Sequence, residues 1–472
     1  MENRLWSFKE AGKDAMVRKR RGNKREDRFL TALAANTQGE IFELEGFAAV
    51  GMADRIRLPI PLEETLPMPH GGELMFLPDR RPVVYDIESG RLTVLRENPY
   101  EPGEPVFPVA AFNSPGYVQA CITGYEETAG VNSLPLFSYG AVGWRQGAFR
   151  SPLIRVDTEP RQDLRRMARE KVAAGVGRMR KRLPKNRLRE HLERCALEYG
   201  CPAGKNFFLG RYEAPLPTSG ACNARCLGCL SFQEEAGIPC SQNRIDFTPS
   251  PEEIAEVALV HIQQVKQSVV SFGQGCEGDP LLAAGAIEPA IRRIRKETPH
   301  GTINMNTNGS LPDVLENLLK AGLDSIRISL NSVREACYEA YFRPRGYRFS
   351  DVLRSIETAL NSGVFVSVNY LNCPGFTDTP EEVAAFVDFG KRYPIRMIQW
   401  RNLNFDPVQY WRTMNAVAEH GAPMGMKQAL QHIHHRFPDL QYGYFNPPRE
   451  KWSLPNPNRK APHAVDSGPS DI

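Results

Sequence analysis

The sequence contains no apolar run long enough to cross a membrane as a helix, which takes about 20 residues. Its first residues, MENRLWSFKEAGKDAMVRKRRGNKREDRFL, are charged throughout and lack the apolar segment of a signal peptide. We therefore expect no membrane partner and a cytoplasmic location, where thiols stay reduced. The ten cysteines are accordingly expected to be core residues and metal or redox ligands rather than a disulfide framework.

A strong excess of charge is absent as well. Lys and Arg total 59 and Asp and Glu total 55, which gives a formal net charge of +4. Hydrophobic residues make up 41% and charged residues 24% of the chain, as in globular proteins. At 472 residues, we expect two or three folding units with ample length for a buried core.

Composition divides the chain into five segments. Residues 1–37 are basic. Residues 38–160 contain short apolar runs broken by Gly and Pro, which predict a β-rich module. Residues 161–205 have helical periodicity and predict a basic helical linker. Residues 206–436 predict the core domain, and residues 437–472 predict a Pro-rich, irregular tail.

The linker is expected to form two helices because Pro184 interrupts its pattern. Its basic side chains offer a face for nucleic acid through Arg178, Arg180, Lys181, Arg182 and Lys185. A solvated connecting helix explains the same charges, and we prefer that interpretation.

The core domain alternates short β runs with amphipathic helices. The predicted strands cover residues 213–220, 268–273, 302–308, 325–331, 364–371 and 395–400. The predicted helices begin near Pro251, Leu281, Pro312, Ser350 and Pro380. This alternation predicts an α/β fold with a parallel sheet, which right-handed crossovers curl into a partial (β/α)6 barrel. In such barrels the chemistry lies at the C-terminal ends of the strands.

A cysteine motif follows the first predicted strand directly, in SGACNARCLGCLSFQ. Its spacing is Cys222-x3-Cys226-x2-Cys229. Three thiolates on one loop can bind three irons of a [4Fe–4S] cluster and leave the fourth iron open. The motif resembles that of the radical S-adenosylmethionine (SAM) superfamily.

The resemblance implies a specific chemistry. In that superfamily, the amino and carboxylate groups of SAM chelate the open iron. The reduced cluster then cleaves SAM to methionine and a 5′-deoxyadenosyl radical, which removes a hydrogen atom from a substrate. A reductant such as flavodoxin or ferredoxin is implied as a partner. The residue before the third cysteine is usually aromatic in the superfamily and is Gly228 here, so the adenine contact is expected to shift to Phe232.

A structural zinc site is the alternative interpretation of the motif. Zinc in such sites takes four ligands. Cys240 is the one further cysteine close enough in sequence to be an obvious fourth.

A glycine-rich segment, SFGQGCEGDPLL, follows the second predicted strand. It fits GxGxxG, but it lacks the acid that dinucleotide-binding domains carry at the end of the next strand. It resembles instead the Gly-Gly-Glu-Pro motif that binds the SAM amino group in the superfamily. Gly278 and Asp279 then align with it, and Glu277 is a competing candidate for the acidic role. Cys276 is interpreted as a buried core thiol.

Polar residues near later strand ends complete the candidate site. Ser329 and Asn331 resemble the ribose-binding pair of the superfamily, and alternation predicts that they share one face of their strand. Strand-end capping is the alternative for both. Five further residues are candidate cofactor or substrate contacts: Arg343, Arg345, Gln399, Arg401 and Asn402.

The subfamily is narrowed by the lack of cysteines after Cys373. This lack argues against members with a second C-terminal cluster, including the molybdopterin-precursor cyclase. A second cluster built from Cys195, Cys201 and Cys240 is conceivable, but their irregular spacing favours ordinary core cysteines. Three hypotheses follow: an enzyme that modifies a protein, peptide or RNA, an enzyme acting on a small metabolite, and a non-catalytic zinc- or cluster-bearing protein that binds nucleic acid.

Overall fold

The computed structural model describes residues 26–233 and 238–452. The strands are β1 Thr31–Ala35, β2 Ile41–Ala53, β3 Ile56–Pro59, β4 Leu66–Pro67, β5 Glu73–Phe76, β6 Arg80–Asp86, β7 Arg91–Val94, β8 Phe107–Phe112, β9 Tyr117–Gln119, β10 Ile122–Thr123, β11 Tyr125–Glu127, β12 Gly143–Arg145, β13 Ala148–Ser151, β14 Leu153–Arg155, β15 Glu213–Pro215, β16 Val269–Phe272, β17 Thr302–Thr307, β18 Ser325–Leu330, β19 Phe365–Asn372, β20 Met397–Asn402 and β21 Gln441–Gly443. The helices are α1 Arg169–Arg182, α2 Arg187–Leu197, α3 Pro202–Leu209, α4 Pro251–Gln264, α5 Ala284–Glu297, α6 Pro312–Ala321, α7 Glu335–Phe342, α8 Phe349–Asn361, α9 Pro380–Arg392, α10 Pro407–Asn415 and α11 Met426–Arg436.

Strands β1 to β14 form an antiparallel module. Its longest strand, β2, pairs with β1, β3, β6 and β10. The module begins earlier than the predicted boundary at residue 38, because β1 lies within the segment that was predicted to be only basic. The sequence of β1, TALAA, has one β-branched residue, at its first position, and no aromatic residue. It therefore carries no pattern that predicts a strand. Residues 1–25 of that segment lie outside the described residues.

Helices α1, α2 and α3 connect the module to the core. Pro184 lies between α1 and α2, as predicted, and Asn186 caps α2 by accepting from the Arg189 N–H at 2.9 Å. Arg180 donates to Glu193 at 3.0 Å, and Arg182 donates to Gln263 at 2.9 Å. Two of the five basic residues considered for nucleic acid therefore have partners within the protein, and nucleic-acid binding has no further support.

Strands β15 to β21 form one parallel sheet in sequential order. This confirms the predicted α/β fold with a curled, partial barrel, and all six predicted core strands are present. The prediction of an irregular tail over residues 437–472 was wrong in one respect. Residues 441–443 pair with β20 as a seventh strand. A three-residue strand within QYGYFNPP is too short for alternation to reveal it.

The core helices begin where their sequences signal it. Ser250 Oγ accepts from the Glu253 N–H at 3.3 Å, and the Glu253 carboxylate accepts from the Ser250 N–H at 2.8 Å. This capping box fixes the start of α4 at Pro251. Helices α6 and α9 likewise start at proline, at Pro312 and Pro380.

The module covers the C-terminal ends of β19 and β20. Asn402 donates to the Tyr117 carbonyl at 2.9 Å and accepts from the Gln119 N–H at 3.0 Å. Asn372 donates to the Gln119 carbonyl at 3.0 Å. Strand β9 therefore lies across the strand ends where the chemistry of this fold class takes place.

No helix in residues 26–233 and 238–452 is both long enough and apolar enough to span a membrane.

Candidate active site

The loops that follow β15 and β16 are hydrogen-bonded to each other. The Gly278 N–H donates to the Ser219 carbonyl at 2.6 Å, and the Asp279 N–H donates to the Ala221 carbonyl at 2.9 Å. A Cβ on Gly278 would lie 1.8 Å from the Ala221 oxygen, so only glycine permits this approach. The pairing holds Cys222, the next residue, against the glycine-rich loop.

The cysteine loop is also attached to the end of α7. The Arg225 N–H donates to the Phe342 carbonyl at 2.8 Å, and the Leu227 N–H donates to the Tyr341 carbonyl at 3.1 Å. These bonds fix the backbone on both sides of Cys226. The three cysteines are therefore presented by a loop whose main chain is anchored on two sides.

The cysteine thiols lie in a half-buried environment with nearby hydrogen-bond donors. Arg244 Nη2 lies 3.6 Å from Cys229 Sγ, and the Ala224 N–H lies 3.5 Å from Cys222 Sγ. Burial raises the pKa of Cys222 to about 11 and raises the pKa of Cys226 well above its ordinary value. A bound metal ion lowers the pKa of a cysteine thiol, because its positive charge stabilises the thiolate.

The spacing of the sulfurs bears on the zinc alternative. A tetrahedral zinc site with Zn–S bonds of about 2.3 Å brings its sulfurs to about 3.8 Å from one another. The three sulfurs of the motif do not form a group within 4.8 Å, whereas His191, Cys195 and Cys276 do so elsewhere among the described residues. Cys240, the expected fourth zinc ligand, is exposed. The motif therefore fits a larger metal centre better than a single zinc ion.

Gly228 is explained by its neighbours. A Cβ at this position would lie 3.0 Å from Tyr341 Oη and 3.3 Å from Phe405 Cβ. The Gly228 carbonyl accepts from Asn404 Nδ2 at 3.1 Å. Side chains from α7 and from the loop after β20 thus occupy the space that an aromatic residue would need.

Phe232 lies beside the cysteine loop, and two guanidinium groups are close to its ring. The Arg225 and Arg244 Cζ atoms are 4.8 and 5.4 Å from its ring centroid. The ring lines a small cavity, and the residues around that cavity are Arg225, Cys226, Leu227, Phe232, Gln233, Arg343 and Phe405. Phe232 is near the cluster motif, but the arginines already contact its ring.

Glu277 joins the two loops through its carboxylate. Its Oε2 accepts from the Thr218 and Ser219 N–H groups at 2.8 and 3.0 Å. Its Oε1 accepts from the Gly273 and Gln274 N–H groups, both at 2.7 Å. Burial raises its pKa to about 7, and the four N–H donors oppose that shift. A carboxylate has about four acceptor sites, so Glu277 has none left for a ligand amine and acts as a positioning residue.

Asp279 keeps more acceptor capacity. Its Oδ1 accepts from Thr307 Oγ1 at 2.8 Å and from the Leu281 N–H at 3.1 Å. Its Oδ2 accepts from the Asn308 N–H at 2.7 Å. Burial raises the pKa of Asp279. Of the two acids considered, Asp279 is the one with an acceptor site to spare.

Ser329 and Asn331 lie in different surroundings at the end of β18. Ser329 lies within β18 and is half-buried. Asn331 lies beyond the end of that strand and is fully buried. Its Nδ2 donates to the Cys337 carbonyl at 3.1 Å and to Tyr410 Oη at 3.3 Å, toward α7 and α10. Because the strand ends at Leu330, the alternation that predicted a shared face no longer applies to Asn331.

The NTNGS turn after β17 contacts the cysteine loop. Asn308 Nδ2 donates to Asn223 Oδ1 at 2.8 Å, and Asn223 Nδ2 donates to Ser310 Oγ at 2.9 Å. The Asn223 carbonyl accepts from the Arg345 N–H at 2.8 Å. Sequence reasoning missed Asn223, which links the cysteine loop to the third strand.

Two arginines lie on the polar inner face of the sheet. Arg327 is buried and donates to Gln399, and Arg401 donates to Asn369 at 3.1 Å. Burial and, to a lesser degree, the charge of Arg401 lower the pKa of Arg327 to about 9. Of the three sixth-strand candidates, Gln399 and Arg401 belong to this inner network. Asn402 instead bonds the β-rich module.

Comparison with known proteins places the site in a wider group. The family model described as Radical SAM superfamily matches residues 216–389. The GTP 3′,8-cyclase of Chlorobaculum tepidum is 27% identical over 229 residues, which are 48% of this chain and 62% of that protein. The GTP 3′,8-cyclase of Heliobacterium modesticaldum is 31% identical over 180 residues, which are 37% of this chain and 50% of that protein. The chain thus spans about half the length of these curated relatives.

Solved structures are similar at a lower level. A methylornithine synthase structure is 14% identical, with a TM-score of 0.36 over 58% of this chain and 77% of that one. A methyltransferase from Sphaerobacter thermophilus, described as a radical SAM enzyme, is 13% identical, with a TM-score of 0.37 over 49% of this chain and 66% of that one.

Proposed function

Since the chain belongs to the radical SAM superfamily, we propose that Cys222, Cys226 and Cys229 hold a [4Fe–4S] cluster and that SAM binds beside Asp279. Membership in the superfamily makes the chain an enzyme, and its cofactors are a [4Fe–4S] cluster and SAM. Enzymes of the superfamily require a substrate and a reductant. We propose flavodoxin or ferredoxin as the reductant. When bound, the cluster and SAM supply a 5′-deoxyadenosyl radical that removes a hydrogen atom from the substrate.

The observation that supports this site is the pairing of the two loops at the strand ends. Gly278 and Asp279 donate backbone N–H groups to the cysteine loop, and Glu277 is bonded to both loops. The groups on the two loops that would contact a ligand are therefore held in place before it binds, and this reduces the entropic cost of binding. Arg244 brings positive charge to the thiolates, which favours their ionised form.

We further propose that the substrate is an anionic small molecule. Arg327 and Arg401 face the inside of the half-barrel, and Glu213 is a carboxylate among the described residues whose charge raises the pKa of Arg327. Guanidinium groups bind carboxylates and phosphates with two parallel hydrogen bonds. Strand β9 covers the ends of β19 and β20, so the module forms a wall that excludes water from the interior.

The first test compares wild type with a Cys222/Cys226/Cys229→Ala variant and with Cys240→Ala as the matched control. Each protein is reconstituted with iron and sulfide without oxygen, reduced with dithionite and mixed with SAM. We expect 5′-deoxyadenosine from wild type and from Cys240→Ala only, with an EPR signal that changes on SAM addition. Zinc in place of iron, or a cluster indifferent to SAM, would reject the proposal.

The second test concerns the substrate. GTP is a suitable anionic probe because the relatives are GTP 3′,8-cyclases, and guanosine is its neutral counterpart. We expect GTP to raise 5′-deoxyadenosine formation more than guanosine does, with the difference lost in Arg401→Ala and partly kept in Arg401→Lys. An equal response to both compounds would reject an anion requirement. If neither compound raises 5′-deoxyadenosine formation, the similarity to the cyclases extends only to the cofactor site.

A further inference from the structure

Three side chains of types that can bind metal ions come together beside the loop that carries Glu277. His191 and Cys195 are four residues apart on α2 and therefore share one face of the helix. Cys276 reaches the same point from the loop after β16. The three side chains come from residues that are 6%, 3% and 5% exposed.

The separations within this group match a single tetrahedral ion. His191 Nε2 lies 3.5 Å from Cys195 Sγ and 3.5 Å from Cys276 Sγ. Zinc bonds of about 2.3 Å to sulfur and 2.0–2.1 Å to nitrogen give an N···S edge of about 3.6 Å. All three ligand atoms lie within 4.8 Å of one another. Cysteines of a cubane cluster are farther apart because each binds a different iron.

Cys201 is the candidate fourth ligand. It precedes α3, and its N–H donates to the Cys195 carbonyl at 2.9 Å. Its sulfur lies outside the compact group that the other three side chains form, so the Cys201 side chain has to move toward them to complete a tetrahedron. One histidine and three cysteines are a frequent ligand set of structural zinc.

We propose that His191, Cys195, Cys201 and Cys276 bind a structural zinc ion. The ion joins α2 of the linker to the loop that carries Glu277, Gly278 and Asp279. The linker thereby supports the loop of the candidate active site. The two metal centres share no ligand, so zinc and iron can be assigned separately from variants of each ligand set.

The test measures zinc and iron per chain by mass spectrometry in the 472-residue chain. We expect about one zinc per chain in wild type, in the Cys222/Cys226/Cys229→Ala variant and in the Cys240→Ser control. We expect zinc to be lost in Cys276→Ser and Cys195→Ser. If the cluster assignment alone is wrong, iron fails to depend on the motif cysteines while zinc still depends on Cys276.

A cobalt titration keeps the proposal testable if Cys276→Ser fails to fold. The Cys222/Cys226/Cys229→Ala variant is stripped of zinc and titrated with Co²⁺, which occupies zinc sites and gives thiolate charge-transfer absorption. We expect this absorption at one equivalent, reversed by zinc, and a weaker or altered band in Cys201→Ser. Wild type without zinc after growth in zinc, iron that is retained in the motif variant but lost in Cys276→Ser, or a Cys195–Cys276 disulfide in unreduced peptides would each overturn the proposal. An unchanged band in Cys201→Ser would overturn Cys201 as the fourth ligand.

Discussion

Arg80 and Asp406 form a buried ion pair between the β-rich module and the core. Arg80 Nη2 lies 3.4 Å from Asp406 Oδ2, and neither side chain is more than 3% exposed. The other carboxylate oxygen of Asp406 accepts from the Val408 N–H at 3.0 Å and caps α10. The pair therefore ties the start of α10, beside the candidate active site, to strand β6 of the module.

Arg80→Met is expected to destabilise the protein strongly, because it leaves the Asp406 charge buried without its partner. Breaking a buried pair in this way costs about 3–5 kcal/mol. The measurement is urea unfolding followed by circular dichroism. Arg292→Met is the matched control, since its pair with Glu288 on α5 is exposed and is expected to contribute less than about 0.5 kcal/mol. Equal losses in the two variants would contradict the role assigned to Arg80.

Gly278→Ala is expected to separate the cysteine loop from the glycine-rich loop. The added methyl group would meet the Ala221 carbonyl oxygen at 1.8 Å, so the backbone must move. We expect less iron per chain after reconstitution and a loss of 5′-deoxyadenosine formation, with the circular dichroism spectrum preserved. Gly285→Ala is the control, because nothing lies within 4 Å of its Cβ position. Normal iron content in Gly278→Ala would show that the loop contact is dispensable.

The fold could be predicted because its signals are local. The core strands alternate with helices whose first turns carry proline, as at Pro251, Pro312 and Pro380, and each signal lies within a few residues. Strand β21 gave no such signal, since it exists only through its pairing with β20. The extent of the module was misjudged for the same reason, because β1 is defined by its neighbours rather than by its own composition.

The candidate site could be predicted only in part, for a related reason. The cysteine motif lies in one short segment, but the four N–H donors that saturate Glu277 come from two loops about 55 residues apart. Cys276 looked like an isolated core thiol because His191 and Cys195 precede it by about 80 residues. Arg327 could have been found, since alternation in SIRISLN places it on the same face as Ser329.

Arg244→Ala is expected to lower the reduction potential of the proposed cluster. Arg244 donates toward Cys229 Sγ at 3.6 Å, and donors to cluster sulfurs stabilise the reduced state. Because a hydrogen bond to a charged group contributes roughly 1.5–3 kcal/mol, the shift is at most on the order of 100 mV for a one-electron couple. The measurement is a redox titration followed by EPR. Arg244→Lys should recover part of the shift, and an unchanged potential in Arg244→Ala would contradict this role.

His261 is expected to make stability fall as the pH decreases. It is buried on α4, with Nε2 3.2 Å from the Tyr212 carbonyl, and burial lowers its pKa to about 4 from 6.5. Between these values the unfolded chain binds a proton that the folded chain does not, so the free energy of unfolding decreases with falling pH. The difference between pH 7 and pH 5 is about 2 kcal/mol.

His261→Gln isolates this contribution, because glutamine can still donate to the Tyr212 carbonyl but cannot be protonated. Urea unfolding at pH 7, 6 and 5 should therefore show a smaller loss of stability in His261→Gln than in wild type. His432→Gln, which changes an exposed histidine on α11, serves as the control and should follow wild type. If wild type and His261→Gln lose stability in parallel over this range, proton binding by His261 is not the cause, because a residue without a titrating group cannot reproduce its pH dependence.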